Sequence, residues 1–258
     1  MTGARPIRVI FPLILFVFAS ACSVTAPWAK NTEAAKEAGS LIERLDDQNR
    51  AISDRRGVGR FRLENANGAL SGRVAWLSAP PDRLRMELLS PFGQPVATIA
   101  GDGDQVAVRW AADGKILRGN ADGSITAKVF GMRIPWRALA SSLAFRVWIK
   151  PGRGILTHSP KDPDTRILSI PGGLFSRGQR LFFRPGEDFP QKAEYDTDGK
   201  GVIKVEFFGS PDGAESRLVF SGKNGETLTL WPERFITNQG VTDNPFLLAA
   251  PGEPVKSP

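Results

Sequence analysis

The chain has a single cysteine, Cys22, a single histidine, His158, and a single tyrosine, Tyr195, among its 258 residues. One cysteine excludes an intramolecular disulfide framework and any zinc or iron–sulfur site built on thiolates. One histidine argues against a His-rich metal site. No Gly-x-Ser-x-Gly turn is present to raise a serine nucleophile. The apolar run from Val9 to Phe18, interrupted by Pro12, falls short of the roughly 20 residues that a permanent membrane span requires. These shortages argue against a metal site built on thiolates or imidazoles, and neither a metal nor a cofactor is expected. What the chain does have is ordinary globular composition, 41% hydrophobic and 24% charged, with 16 Phe and 6 Trp for a large core. Its 27 Gly and 20 Pro point to many turns, and its net charge is +7.

Arg5 and Arg8 flank the start of that apolar run, and Ala19-Ser20-Ala21 follow it, directly before Cys22. A basic start, a short apolar stretch and small residues describe a secretory signal peptide over residues 1–21. The small-small-Cys ending resembles a bacterial lipobox, with Ala19 where Leu is usual. On that resemblance Cys22 is the lipid attachment site and residues 22–32 are a lipidated tether. The alternative is an ordinary signal peptide with an incidental cysteine, although a leftover thiol is a liability in an exported protein. Loss of residues 1–21 removes Arg5 and Arg8 and no acid, so the net charge falls from +7 to +5. On the same resemblance, Ser23 stands where lipoproteins of the inner membrane typically carry Asp, which implies the outer membrane and a domain facing the periplasm.

Residues 33–56 read as one amphipathic helix, because Ala34, Ala38, Leu41, Ile42, Leu45 and Ile52 recur at helical spacing. Asn31 or Thr32 can cap its start and Gly57 can end it. From Val58 the period changes to two. Leu70, Gly72, Val74 and Trp76 alternate with Ser71, Arg73 and Ala75, and Leu84, Met86 and Leu88 alternate with Arg83, Arg85 and Glu87. Val106, Val108 and Trp110 repeat the habit, as do the stretches 202–208, 216–220 and 226–231. Such alternation predicts antiparallel strands with one buried face. Asn-Gly or Asp-Gly dipeptides end the turns at Gly68, Gly114, Gly199, Gly213 and Gly225, as tight hairpins require. Ser124–Phe130 reads as one or two helical turns, and Pro135–Leu143 as a short helix opened by proline. The fold class is therefore mostly β with α: a curled antiparallel sheet, an open half-barrel, with an N-terminal helix and short lid helices. It spans residues 33–235, and residues 236–258 read as a Pro/Gly-rich tail.

Leu70, Val74, Trp76, Leu84, Met86, Leu88, Val108 and Trp110 form the apolar strand faces, and Ile134, Trp136, Leu139 and Leu143 the underside of a lid. They line either a cavity for an apolar ligand or a packed core, which strand parity does not separate. Pro91-Phe92-Gly93 sits between two strands, and Phe92 either stands out from the turn or folds back on its own sheet. His158 lies beside Ser159 and near Asp162 and Asp164, but a catalytic triad is defined by geometry, and a surface histidine is the simpler reading. Arg55, Arg56, Arg60, Arg62 and Arg73 cluster around the first strands. Without a nucleic-acid-binding module they suit anionic head groups, an acidic partner or a merely solvated face.

Several segments resemble the LolB family of outer-membrane lipoproteins, which receive other lipoproteins from the periplasmic carrier LolA. They are the start Cys22-Ser23-Val24-Thr25-Ala26-Pro27, the strand and turn from Pro81 to Gly93, Gly131-Met132-Arg133-Ile134-Pro135, Lys192-Ala193-Glu194-Tyr195, the Asp198-Gly199 turn and Lys204-Val205-Glu206-Phe207. The resemblance implies a non-enzymatic monomer that holds acylated lipoprotein or lipid cargo in an apolar half-barrel. It implies a LolA-like donor, the outer membrane as acceptor and no nucleic acid. It also implies a membrane-inserting loop, Pro91, Phe92 and Gly93, with Phe92 where the family carries Leu. The chain departs from the family after the middle helix, where Phe145-Arg146-Val147-Trp148-Ile149 replaces a Trp-Leu-x-Gly-Leu-Pro stretch. A lipoprotein of the same fold that binds another hydrophobic molecule, or serves as an assembly factor, is the alternative.

Overall fold

The computed structural model describes residues 32–173, 178–209, 215–241 and 245–248. The expected signal peptide and Cys22 lie outside the described residues, as does most of the expected tail. Helix α1 (Thr32–Arg50) is followed by six strands: β1 (Arg55–Asn65), β2 (Gly68–Ala79), β3 (Arg83–Leu89), β4 (Pro95–Asp102), β5 (Gln105–Trp110) and β6 (Ile116–Asn120). Two short helices come next, α2 (Ser124–Phe130) and α3 (Trp136–Leu143). Seven strands complete the chain: β7 (Ile155–His158), β8 (Arg166–Ile170), β9 (Gln179–Phe183), β10 (Lys192–Asp196), β11 (Val202–Phe208), β12 (Arg217–Ser221) and β13 (Thr227–Thr237).

Among the described residues the strands form one antiparallel sheet, in the order β6-β5-β4-β3-β2-β1-β13-β12-β11-β10-β9-β8-β7. Each half is a meander of sequential hairpins. The two meanders join where the first strand pairs with the last, from Arg55↔Thr237 to Glu64↔Thr227. A sheet this wide cannot stay flat, because strand twist accumulates and curls it. The link between its outer edges, β6 to β7, carries α2 and α3 back across the concave face. Long β1 and β13 form the spine of the bowl, and the hairpin turns form its rims.

Period two survives into burial. Along β3 the pattern buries Leu84, Met86 and Leu88 and leaves Arg83, Arg85 and Glu87 toward the convex side. Helix α1 lays Ala38, Leu41 and Leu45 on the same concave side, where Ala38, Ile42 and Leu168 all close on Gly154. The helix ends at Arg50, earlier than the expected 56. Asp54 is buried and accepts hydrogen bonds from the backbone N–H groups of Gln239 (3.2 Å) and Gly240 (2.9 Å), which starts β1 at Arg55. Gly57 lies inside β1 and caps no helix. A Cβ there would come within 2.1 Å of the Trp76 ring, so only glycine lets that indole lie across β1.

The segment Pro245–Leu248, read from sequence as part of a loose tail, packs on the convex face of β3–β6. Arg85 and Arg118 donate to the carbonyls of Pro245 and Leu248, both at 3.1 Å. Phe246 and Leu248 are buried there, the latter against Ala100 and Ala107, whose small side chains leave the room.

Candidate functional site

The concave face gathers eleven of the twelve residues expected to line a cavity. Val74, Trp76, Leu84, Met86, Leu88 and Val108 come from the strands, and Ile134, Trp136, Leu139 and Leu143 from the lid; all are buried, and Trp110 at the edge is half-buried. Leu70 is the exception and corrects the expectation. It has the parity of the wall but lies past the point where β3 stops pairing with β2, and 45% of its surface is exposed.

Water reaches almost none of the inner surface, because the protein's own side chains fill the hollow. Phe130 from α2, Phe145 after α3, and Phe183, Tyr195 and Phe220 from the second meander are among the largest fully buried groups. The period-two pattern of 180–183, 192–196 and 216–220 could have nominated the last three. Tyr195 stacks on Trp148 at 5.7 Å and donates its hydroxyl to the Trp148 carbonyl at 3.1 Å. Burial holds its phenol far above the usual range, so it stays neutral.

The two lid helices are held differently. α3 is pinned to the strands. Trp76 Nε1 donates to the Leu143 carbonyl (3.0 Å) and Ser78 Oγ to the Ala140 carbonyl (2.7 Å), both carbonyls left open at the helix end. Trp136 Nε1 donates to the Asp82 carbonyl at 2.8 Å. The bonds of α2 stay local: Thr126 Oγ1 reaches the carbonyls of Gly123 and Ile134, both at 2.9 Å. Left-handed glycines, Gly123 (φ 88°) and Gly131 (φ 77°), flank α2. Asp122 accepts the Ser124 N–H at 2.8 Å, and hydrogen bonding to the Ser124 side chain, helped by that backbone contact, holds its carboxyl below the usual range. After α3, Phe145 adopts φ 52°, strained for a bulky residue by about 1–3 kcal/mol. Its ring is buried near that of Phe235 (6.2 Å), and the Arg55 guanidinium lies 4.4 Å from the Phe235 ring centre.

At one rim Ser90–Gln94 makes a tight turn. The Gly93 N–H donates to the Ser90 carbonyl (2.9 Å), the Ser90 N–H donates to the Gln94 carbonyl (2.8 Å), and Gly93 supplies φ 81°. Pro91 and Phe92 occupy the two central positions of the turn, so Phe92 does not fold back. It is 91% exposed.

The arginines of the first strands do not form one free patch. Arg60 (3.1 Å) and Arg73 (3.2 Å) share Glu233, and Arg62 pairs with Glu64 at 2.8 Å, which lowers the Glu64 pKa. Arg56 donates to the Gly240 carbonyl, and Arg55 is buried. His158 ends β7, with Nδ1 2.7 Å from the Pro163 carbonyl, while the Asp162 carboxylate accepts the Thr165 hydroxyl at 2.6 Å. Among the described residues no group of His, Cys, Asp and Glu is placed to hold a metal ion, and no helix is long and apolar enough to cross a membrane.

Residues 56–162, which include the Phe92 turn and both lid helices, match the family described as outer membrane lipoprotein LolB. No curated protein matches the chain in sequence. Three solved structures are similar. A domain assigned to outer membrane lipoprotein sorting, from Vibrio parahaemolyticus, has a TM-score of 0.58 at 11% identity, covering 82% of this chain and 97% of its own. A DUF1329 family protein from Desulfovibrio piger has 0.56 at 13%, covering 84% and 98%. A LolA superfamily protein from Nitrosomonas europaea has 0.52 at 16%, covering 82% and 97%. The fold is that of the LolA/LolB superfamily.

Proposed function

We propose that this protein is an outer-membrane lipoprotein, anchored through Cys22, that accepts acylated lipoproteins or lipid in its bowl and helps insert them into the outer membrane. The observation that carries the reading is an apolar concave face, lidded by two short helices, with a bare phenylalanine on its rim. Burial of that ring is worth about 1.5–3 kcal/mol, which a bilayer interface supplies and water does not. The hollow is closed by Phe130 and its neighbours, so an acyl chain takes their place only when the lid moves. Transfer then needs no nucleotide: chains leave a LolA-like carrier for the bowl and the bowl for the bilayer, each step set by apolar contact.

Phe92→Glu tests this directly. The side chain is exposed, so the melting temperature stays within a degree or two of the parent, while binding to phospholipid vesicles falls about ten- to a hundredfold. Unchanged binding and cargo transfer by that variant would sink the reading. Lipidation has its own check. Cells given globomycin, an inhibitor of lipoprotein processing, accumulate the precursor, and Cys22→Ala yields a soluble or unprocessed form; processing insensitive to the inhibitor removes the anchor.

A second reading has a specific observation behind it. The LolB match ends at residue 162, so the wall built by β8–β13 lies outside it. An envelope lipoprotein of this fold that binds another hydrophobic ligand, or assists assembly, differs in that wall. Detergent-free mass spectrometry of the purified protein separates the two by what is bound.

A further inference from the structure

Five large apolar side chains stand exposed among the described residues: Val58, Leu70, Phe92, Ile236 and Leu247. Their places in the register differ. Val58 and Ile236 lie toward the end of the spine where β1 starts, and Leu247 lies in the C-terminal segment. Leu70 and Phe92 belong to adjacent turns at one rim. The pairing of β2 with β3 stops at Arg73↔Leu89, where β3 bends into the Phe92 turn. The pairing of β1 with β2 runs on to Asn65↔Gly68, so this hairpin overhangs the end of β3 by five residues of β2, about 17 Å.

Leu70 sits on that overhang, on the concave side. Its cross-strand partner is Leu63, which is 6% exposed against 45% for Leu70. The cause is position. Leu63 has β13 on its other flank, where it faces Leu228, whereas Leu70 has lost the neighbour that β3 would have been. Leu70 is thus a bare member of the wall row on the flank that β3 leaves open, on the rim that also carries the Phe92 turn. Gly131, at the end of α2, abuts Asn65 in the turn of the same hairpin.

We infer that Leu70 is the apolar contact over which a hydrocarbon tail passes between the bowl and the membrane at Phe92. The inference rests on the acyl-transfer reading above and names the path. A tail that crosses a wet gap exposes its methylenes to water one after another, and each opposes the crossing. A side chain already bare at the mouth shortens that gap without adding to the affinity of the closed bowl. Leu70 therefore governs the rate of passage, whereas Phe92 governs attachment to the bilayer.

The test uses the full chain carrying Cys22→Ala, so that no acyl anchor masks vesicle binding. A pyrene-labelled diacyl lipopeptide is loaded and its release into phosphatidylethanolamine–phosphatidylglycerol vesicles is followed. Leu70→Ser is expected to keep the circular dichroism, probe uptake and vesicle binding of the parent and to release the probe about tenfold more slowly; Leu70→Met restores the rate. Phe92→Glu loses vesicle binding instead. Release from Leu70→Ser at the parent rate, or loss of its vesicle binding, overturns the role of Leu70 while the acyl-transfer reading stands. A parent chain that takes up no probe overturns both.

Discussion

Oxidised Asn65→Cys/Gly131→Cys protein is expected to lose cargo transfer almost completely and to recover it on reduction. A Cβ built on Gly131 lies 3.3 Å from the Asn65 Cβ, slightly inside the usual 3.5–4.5 Å of a disulfide. The residue at 131 must accept φ 77°, which costs a side chain about 1–2 kcal/mol and which the cross-link offsets. The bond ties α2 to the turn of the β1–β2 hairpin. Its leverage comes from the packing: no chain enters a filled hollow unless a helix leaves it. α3 carries three side-chain anchors to the strands or to the turn at Asp82, while α2 is flanked by glycines and bonds locally. With Cys22→Ala in the background the designed pair is the only source of a disulfide. The measurement is release of fluorescent lipopeptide with and without reductant, with each single cysteine variant as control. Equal rates in the oxidised and reduced double variant would show that α2 is not the gate.

Phe130→Ala is expected to melt much lower than the parent and to regain much of the difference when a long-chain lipid is supplied. Phe130 is fully buried on α2. Its truncation costs about 3–5 kcal/mol through lost contacts and a cavity, or roughly 6–20 °C for a domain of this size. In a plain core that loss is final. In a bowl shaped for hydrocarbon the cavity is a guest site, and a bound chain stabilises the folded state by mass action. Thermal scans with and without lipid distinguish the two. A lipid-independent melting temperature in both parent and variant would reduce the hollow to ordinary core.

Much of the candidate site was legible along the chain because it depends on local rules. Alternation marked Val74, Trp76, Leu84, Met86, Leu88 and Val108 as one face, and Pro91 with Gly93 marked a turn, although whether Phe92 stands out from it or folds back was left open by the sequence. Leu70 shows the limit. It obeys the same alternation, yet its burial depends on where β3 ends, which is not written in β2. Gly57 is a second case: it looks like a helix stop and is in fact the place where Trp76 crosses β1. Phe246 is a third, an apolar residue in a Pro- and Gly-rich segment whose partners, Arg83 among them, lie on the distant first meander.

Local pattern by itself determined the strand faces, the hairpin turns and the two short helices, because each follows from residue type and spacing within a few positions. Tertiary structure alone decided that the first strand pairs with the last, that the lid fills the hollow with Phe130 and its neighbours, and that one leucine of the wall is left outside. Those outcomes depend on contacts between segments far apart along the chain, up to 182 residues for Arg55↔Thr237, where the preferences of each are satisfied equally well by many partners and only the closed packing selects one.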